Sequence, residues 1–114
     1  MIKHLGARKL GRTTAHRRAL LRNMAVSLFL HERVKTTVTK AKELRSFAEK
    51  IITKAKHGKH REVRRDIHDR VAYKKLFEVL AQRYQDRPGG YTQILRLDNR
   101  VGDNAPQGLI RLVQ

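Results

Sequence analysis

Two observations predict an α+β fold for this 114-residue chain. Long stretches before residue 85 repeat apolar residues with helical spacing, and three short β-branched runs, one near residue 36 and two after residue 90, read as extended. The expected architecture is a small three-stranded mixed sheet packed against three to four helices, with a basic N-terminal extension. One core serves roughly 100 to 150 residues, so residues 13–114 read as a single domain and residues 1–12 as a flexible arm.

The arm, MIKHLGARKLGR, combines Gly6 and Gly11 with isolated apolar residues and carries neither helical nor strand period. Thr13 or Thr14 can cap a helix that runs to about His31. Its core-facing stripe is Leu21, Met24, Ala25 and Leu28, with Arg18 and Arg22 on the flank. The run Val34 to Val38 predicts a strand. Leu44, Phe47, Ala48, Ile51, Ile52 and Ala55 then keep the i, i+3, i+4, i+7 pattern and predict a helix over 39–57, stopped at Gly58.

Residues 59–70 are almost wholly charged, with Val63 and Ile67 one turn apart, and predict a short solvated helix. Tyr73, Phe77, Leu80 and Tyr84 mark a further amphipathic helix, closed by Pro88, Gly89 and Gly90. Tyr91 to Leu97 and Leu109 to Val113 predict two strands joined by a turn-rich loop containing Gly102, Asp103, Asn104, Pro106 and Gly108.

Lys and Arg number 27 against 10 Asp and Glu, a formal charge of +17. Leu, Ile, Val and Phe make up about 26% of the chain, enough to fold a chain this charged, since highly charged disordered chains fall below roughly 20%. The lack of cysteine excludes disulfides, thiol chemistry and sulfur-ligated zinc. The longest apolar stretch, Met24 to Leu30, is far shorter than the roughly 18 residues that cross a bilayer. Basic residues occupy the place where a secretory signal would carry its apolar run. Residues 1–31 are acid-free and basic like an organellar transit peptide, but contain only Ser27 where such peptides are Ser-rich.

This charge surplus collects polyanions. A membrane-surface helix would set Trp, Phe and Leu opposite its basic face, whereas here Trp is absent and the cations are spread along the chain, which favours nucleic acid.

Catalytic and metal chemistry find little support. Glu62, Asp66 and Asp69 could share a helix face and hold a cation, but Glu62 with Arg65, Asp66 with Arg70 and Arg65 with Asp69 also sit at the spacing of ordinary surface ion pairs, the stronger reading. His57 and His60 have ligand-like spacing, yet Lys56, Lys59 and Arg61 beside them oppose a bound cation. Ser27 and Ser46 lack a nucleophile elbow, and the glycines form no phosphate loop. No cofactor, metal, membrane or small-molecule substrate is expected, and the protein is not expected to be an enzyme.

The arm and first helix form the best polyanion surface: Lys3, His4, Arg8, Lys9, Arg12, Arg17, Arg18 and Arg22, with no acid before Glu32. Arg outnumbers Lys by 16 to 11, which suits bidentate phosphate contacts and stacking on bases. No helix-turn-helix, basic zipper or ribonucleoprotein sheet motif is present, so shape rather than base sequence is read. A DNA-binding architectural protein would share the charge; the glycine-punctuated, acid-free arm points to RNA. Tyr91, after Gly89 and Gly90, either offers its ring to RNA or is buried at a strand start.

The segments occur in a telling order: LGR (Leu10 to Arg12), HRRALLRNM (His16 to Met24), KTTV (Lys35 to Val38), KAKELR (Lys40 to Arg45), KLF (Lys75 to Phe77), GGYTQIL (Gly89 to Leu95) and GDNAP (Gly102 to Pro106). The series resembles the bacterial large-subunit ribosomal protein family numbered seventeen, across nearly the whole chain. The resemblance implies a small α+β fold and a cytoplasmic, non-catalytic component of the ribosome. It would bind large-subunit ribosomal RNA near the peptide exit tunnel, beside neighbouring large-subunit ribosomal proteins.

Carried over by the same resemblance, the RNA contacts are Arg8, Arg12, His16, Arg17, Arg22 and Asn23, then Lys35, Thr36, Thr37, Lys40 and Lys42, with Arg87, Tyr91, Thr92 and Arg96 as weaker candidates. Thr37 could equally cap the second helix. Ala81 and Gln82 stand where similar proteins carry Gly-Pro, which implies a longer last turn to the aromatic helix, and residues 57–72 match the family least.

Overall fold

The computed structural model describes residues 14–114, and the expected arm at 1–12 and any cap at Thr13 lie outside them. Helix α1 (Thr14–His31) buries Leu21, Ala25, Leu28 and Phe29 and leaves Met24 half-buried, so the expected stripe faces the core with Phe29 added to it. The helix stops at Glu32, whose φ of 63° lies in the left-handed region and whose amide donates to the Leu28 carbonyl.

Strand β1 (Arg33–Thr37) follows, and Val38, expected as its last residue, instead opens α2 (Val38–Lys56). Thr37 causes the early switch: its hydroxyl accepts the Lys40 amide at 3.4 Å, which fixes the first turn. Helix α2 buries Ala41, Leu44, Ala48, Ile51, Ile52 and Ala55, nearly the predicted stripe. It ends in a Schellman motif, with the Gly58 amide on the Ala55 carbonyl, the Lys59 amide on the Lys54 carbonyl, and Gly58 at φ +71°.

The charged stretch is shorter and more broken than its pattern predicts. Helix α3 (His60–Asp66) ends where Ile67 turns extended and drops into the core, and the Asp69 carboxylate accepts the Val71 and Ala72 amides to start α4 (Arg70–Lys75). The next helix continues through a π-helical stretch, Leu76–Leu80, into α5 (Ala81–Arg83), with the Ala81 amide bonded to the Leu76 carbonyl. Leu76, Leu80 and Tyr84 are buried at steps of four residues, a repeat that drifts around an α-helix and that the wider π turn brings back toward the core. Ala81 and Gln82 are helical, as the absence of Pro allows.

Strands β2 (Thr92–Leu97) and β3 (Gln107–Leu112) complete a sheet of order β1-β3-β2. Both pairings are antiparallel, with Ile110 opposite Val34 on one side and Ile94 on the other, so the sheet is not mixed. The short loop from 98 to 106 returns β3 beside β2 as a hairpin, and the helical path from 38 to 91 sets β1 running against β3. Val34, Ile94 and Ile110 face the helices, and the other face carries Arg33, Lys35, Gln93 and Arg111 alongside Leu95, Leu97 and Leu109.

Candidate nucleic-acid interface

Because α1 turns Leu21, Ala25 and Leu28 inward, its opposite side leaves His16 and Asn23 exposed; Arg18, flanking the buried stripe nearer the start of the helix, is exposed as well, and Arg17 is partly covered. Arg22 is not free: its Nε donates to Asp66 Oδ1 at 3.0 Å, an ion pair that joins α1 to the end of α3. Arg22 and Asn23, with Ala19, Val26, Ser27, Asp66, His68 and Asp69, line a groove between these elements.

Around the start of α2, Lys35 and Lys42 are exposed while Thr36, Thr37 and Lys40 are half-buried. This group lies at the opposite end of α2 from α3, about 27 Å away at 1.5 Å per residue. Thr37 spends its hydroxyl on the cap, so the structure supports that role for it. The predicted Lys3, His4, Arg8, Lys9 and Arg12 lie outside the described residues.

Two weaker candidates are turned inward. Tyr91 is 2% exposed, with its ring 5.1 Å from that of Tyr84 and its hydroxyl accepting from Lys56 Nζ at 3.0 Å. Thr92 is 6% exposed and donates its hydroxyl to Glu49 Oε2 at 2.7 Å. Both side chains serve the junction of α2 with β2, and Tyr91 takes the buried one of its two expected places. Arg87 and Arg96 are exposed, Arg87 reaching the Gln114 carbonyl at 3.4 Å.

The three carboxylates read on one helix face do three separate things. Glu62 pairs with Lys59 at 3.9 Å, Asp66 with Arg22, and Asp69 caps α4, so the expected pairs with Arg65 and Arg70 are replaced. The helix break at Ile67 separates Asp66 from Arg70 and Arg65 from Asp69, while Glu62, still within α3, turns back to Lys59. Among the described residues no group of three or more His, Asp or Glu is placed to hold a metal ion, and no helix is long and apolar enough to cross a membrane.

A further group escaped the sequence reading. His60, on α3, stacks on Phe77 with ring centroids 3.9 Å apart, its Nδ1 lies 2.7 Å from the Tyr73 hydroxyl, and Arg64 lies 4.9 Å above the Tyr73 ring. His60 and Tyr73 are 13 residues apart, beyond any helical period, so only the α3–α4 fold brings them together.

These surfaces offer fixed positive charge, amide and imidazole groups and partly exposed rings, a chemistry suited to phosphate and bases. Comparison with known proteins agrees with that character. Residues 20–113 match the family Ribosomal protein L17. The Large ribosomal subunit protein bL17 of Elusimicrobium minutum is 57% identical over 113 residues, 99% of each chain. Its namesake in Endomicrobium trichonymphae is 47% identical, again over 99% of each chain, and that of Syntrophotalea carbinolica is 51% identical over 94% of this chain and 71% of its own. With the match running from within α1 to the residue after β3, the chain belongs to the ribosomal protein L17 family.

Proposed function

We propose that this protein is a structural constituent of the large ribosomal subunit in the cytoplasm. In this reading it binds large-subunit ribosomal RNA near the peptide exit tunnel, touches neighbouring large-subunit proteins and catalyses no reaction. The names of its relatives support the assignment to the large subunit. The observation that carries RNA binding is the acid-free run before Glu32, which continues onto the exposed side of α1 with Arg18 and Asn23 in a molecule of net charge +17.

In this reading the basic arm, α1 and the cations at the start of α2 all contribute phosphate contacts. Self-repulsion opposes compaction of the free protein, so bound RNA raises its stability by mass action.

Sedimentation of cell lysate through sucrose tests the reading. Cofractionation with large subunits that survives high salt is expected, because many buried contacts add to screened charge. Release to the top of the gradient at moderate salt, or sedimentation with DNA, overturns it.

A further inference from the structure

Seven cations and three acids occupy residues 59–75. Each acid is committed within the protein: Glu62 to Lys59, Asp66 to Arg22 on α1, and Asp69 to the first amides of α4. Lys75 is committed as well, to Glu32 at 3.0 Å and to the Leu30 carbonyl at 3.2 Å. Arg61, Arg65, Arg70 and Lys74 are exposed and make no ion pair among the described residues. Arg64 is held over the Tyr73 ring. This surface therefore carries net positive charge that the protein itself does not neutralise.

Its shape is equally specific. One depression is lined by His60, Arg61, Arg64 and Tyr73. A second is lined by Arg64, Ile67, His68, Arg70 and Tyr73, so the Arg64–Tyr73 pair forms the wall between the two. His68 also lines the α1 groove with Arg22 and Asn23. The three depressions thus form one track from α1 across the α3–α4 turn to His60.

Along the track guanidinium groups alternate with aromatic faces, the arrangement that holds phosphates while stacking bases. His60 is exposed although it stacks on Phe77, and Tyr73 and Phe77 are only half-buried.

We infer that the α3–α4 surface is a second RNA-binding site, which takes an unpaired stretch of the same RNA, with phosphates on Arg61, Arg64 and Arg70 and one base against the His60–Tyr73 rings. The inference rests on the RNA-binding reading above and adds to it a site in residues 57–72, where the family resemblance is weakest. The Arg22–Asp66 ion pair makes this site continuous with α1, so one RNA segment can follow both.

The test uses the full chain and large-subunit RNA freed of protein, with Arg61→Gln, Arg64→Gln and Arg70→Gln combined in one variant and Arg12→Gln with Arg18→Gln in another. Val63, Ile67 and Asp69 stay in place, and circular dichroism melting checks the fold. The triple variant is expected to bind about tenfold more weakly, with the slope of log affinity against log salt reduced by about 2, as three lost phosphate contacts on a single strand imply, and to lose chemical protection at one short unpaired RNA segment. The Arg12 and Arg18 variant is expected to weaken binding with different protections lost.

Unchanged affinity and protections in the triple variant, with weakening in the other, overturn this site and leave the parent reading standing. No effect from either variant overturns both. Normal RNA binding by the triple variant, with failure to join particles only when other ribosomal proteins are added, makes this a protein-docking face and also overturns the inference. Should the triple variant melt early, His60→Ala decides: it leaves every arginine in place and removes the exposed ring, so affinity about fivefold weaker, an unchanged salt dependence and a lost base protection are expected. A retained protection overturns the site.

Discussion

Glu32 and the α3–α4 surface use the same kinds of side chain to opposite ends. At Glu32 one carboxylate gathers Arg83 through both oxygens, at 2.7 and 3.2 Å, and Lys75 at 3.0 Å, while its carbonyl accepts the Leu112 amide. Arg83 holds the Glu32 carboxyl down to about 2 against the opposing effect of burial, with Lys75 adding to the shift. Cations there are structural members, tying the end of α1 to α4, α5 and β3. On α3–α4 the acids are used up elsewhere, and the same cation types stay open to an external anion. Placement of the few acids, more than the number of cations, decides which part of this basic chain holds itself together and which part stays open to an external anion.

The largest effect is expected from Ile67→Ala. Ile67 is fully buried and pins the turn between α3 and α4, so its truncation should cost about 2 to 4 kcal/mol in chemical denaturation and blur the difference between the two regions by freeing the basic surface. A cost below about 1 kcal/mol would mean that the turn is held by the Asp69 cap alone.

Glu32→Ala should cost about 1 to 2 kcal/mol, a figure discounted because the side chain is 30% exposed to solvent. Glu32→Gly should cost less, because it loses the same ion pairs but relieves the backbone at φ 63°. Equal losses in both would remove strain from the account. Because the carboxyl is lowered from 4.5 to about 2, its contribution is fully present above pH 4.5 and fades as the pH falls toward 2. An acid titration of stability should therefore be shallower in Glu32→Gln than in the parent between those limits.

Asp69→Ala removes two capping bonds at 2.8 and 3.3 Å and should cost about 1 kcal/mol, read as a lowered melting temperature. The smallest effect on folding is expected from Arg61→Gln, within about 0.5 kcal/mol, since Arg61 is exposed and makes no ion pair among the described residues. A clear loss of stability there would erase the distinction between structural and open cations.

Legibility from sequence follows the range of the interaction. Helix α2 was readable to within a residue at each end because its apolar positions, its Thr37 cap and its Gly58 stop are all local signals. The antiparallel direction of β1 was not, because it depends on how 54 residues of helix and turn return the chain, and a mixed sheet fitted the same strands. Which of its two expected places Tyr91 takes, and the burial of Thr92, were not legible for a related reason: their partners Lys56 and Glu49 lie 35 and 43 residues away. In the site, the basic character of α1 was legible from composition, while the commitment of Arg22 to Asp66, 44 residues on, was not.

The sequence by itself determined the α+β class, the helix positions and the polyanion-binding character, since helical period, caps and net charge act over a few residues or over the whole chain. Tertiary structure alone decided the sheet direction, the break at Ile67 and the pairing of Glu32 and Asp66 with distant cations. Those depend on contacts between distant segments: where the packed core brings an opposite charge within about 4 Å, as at Glu32 and Asp66, that pair forms, while Glu62 and Glu49 keep partners at helical spacing.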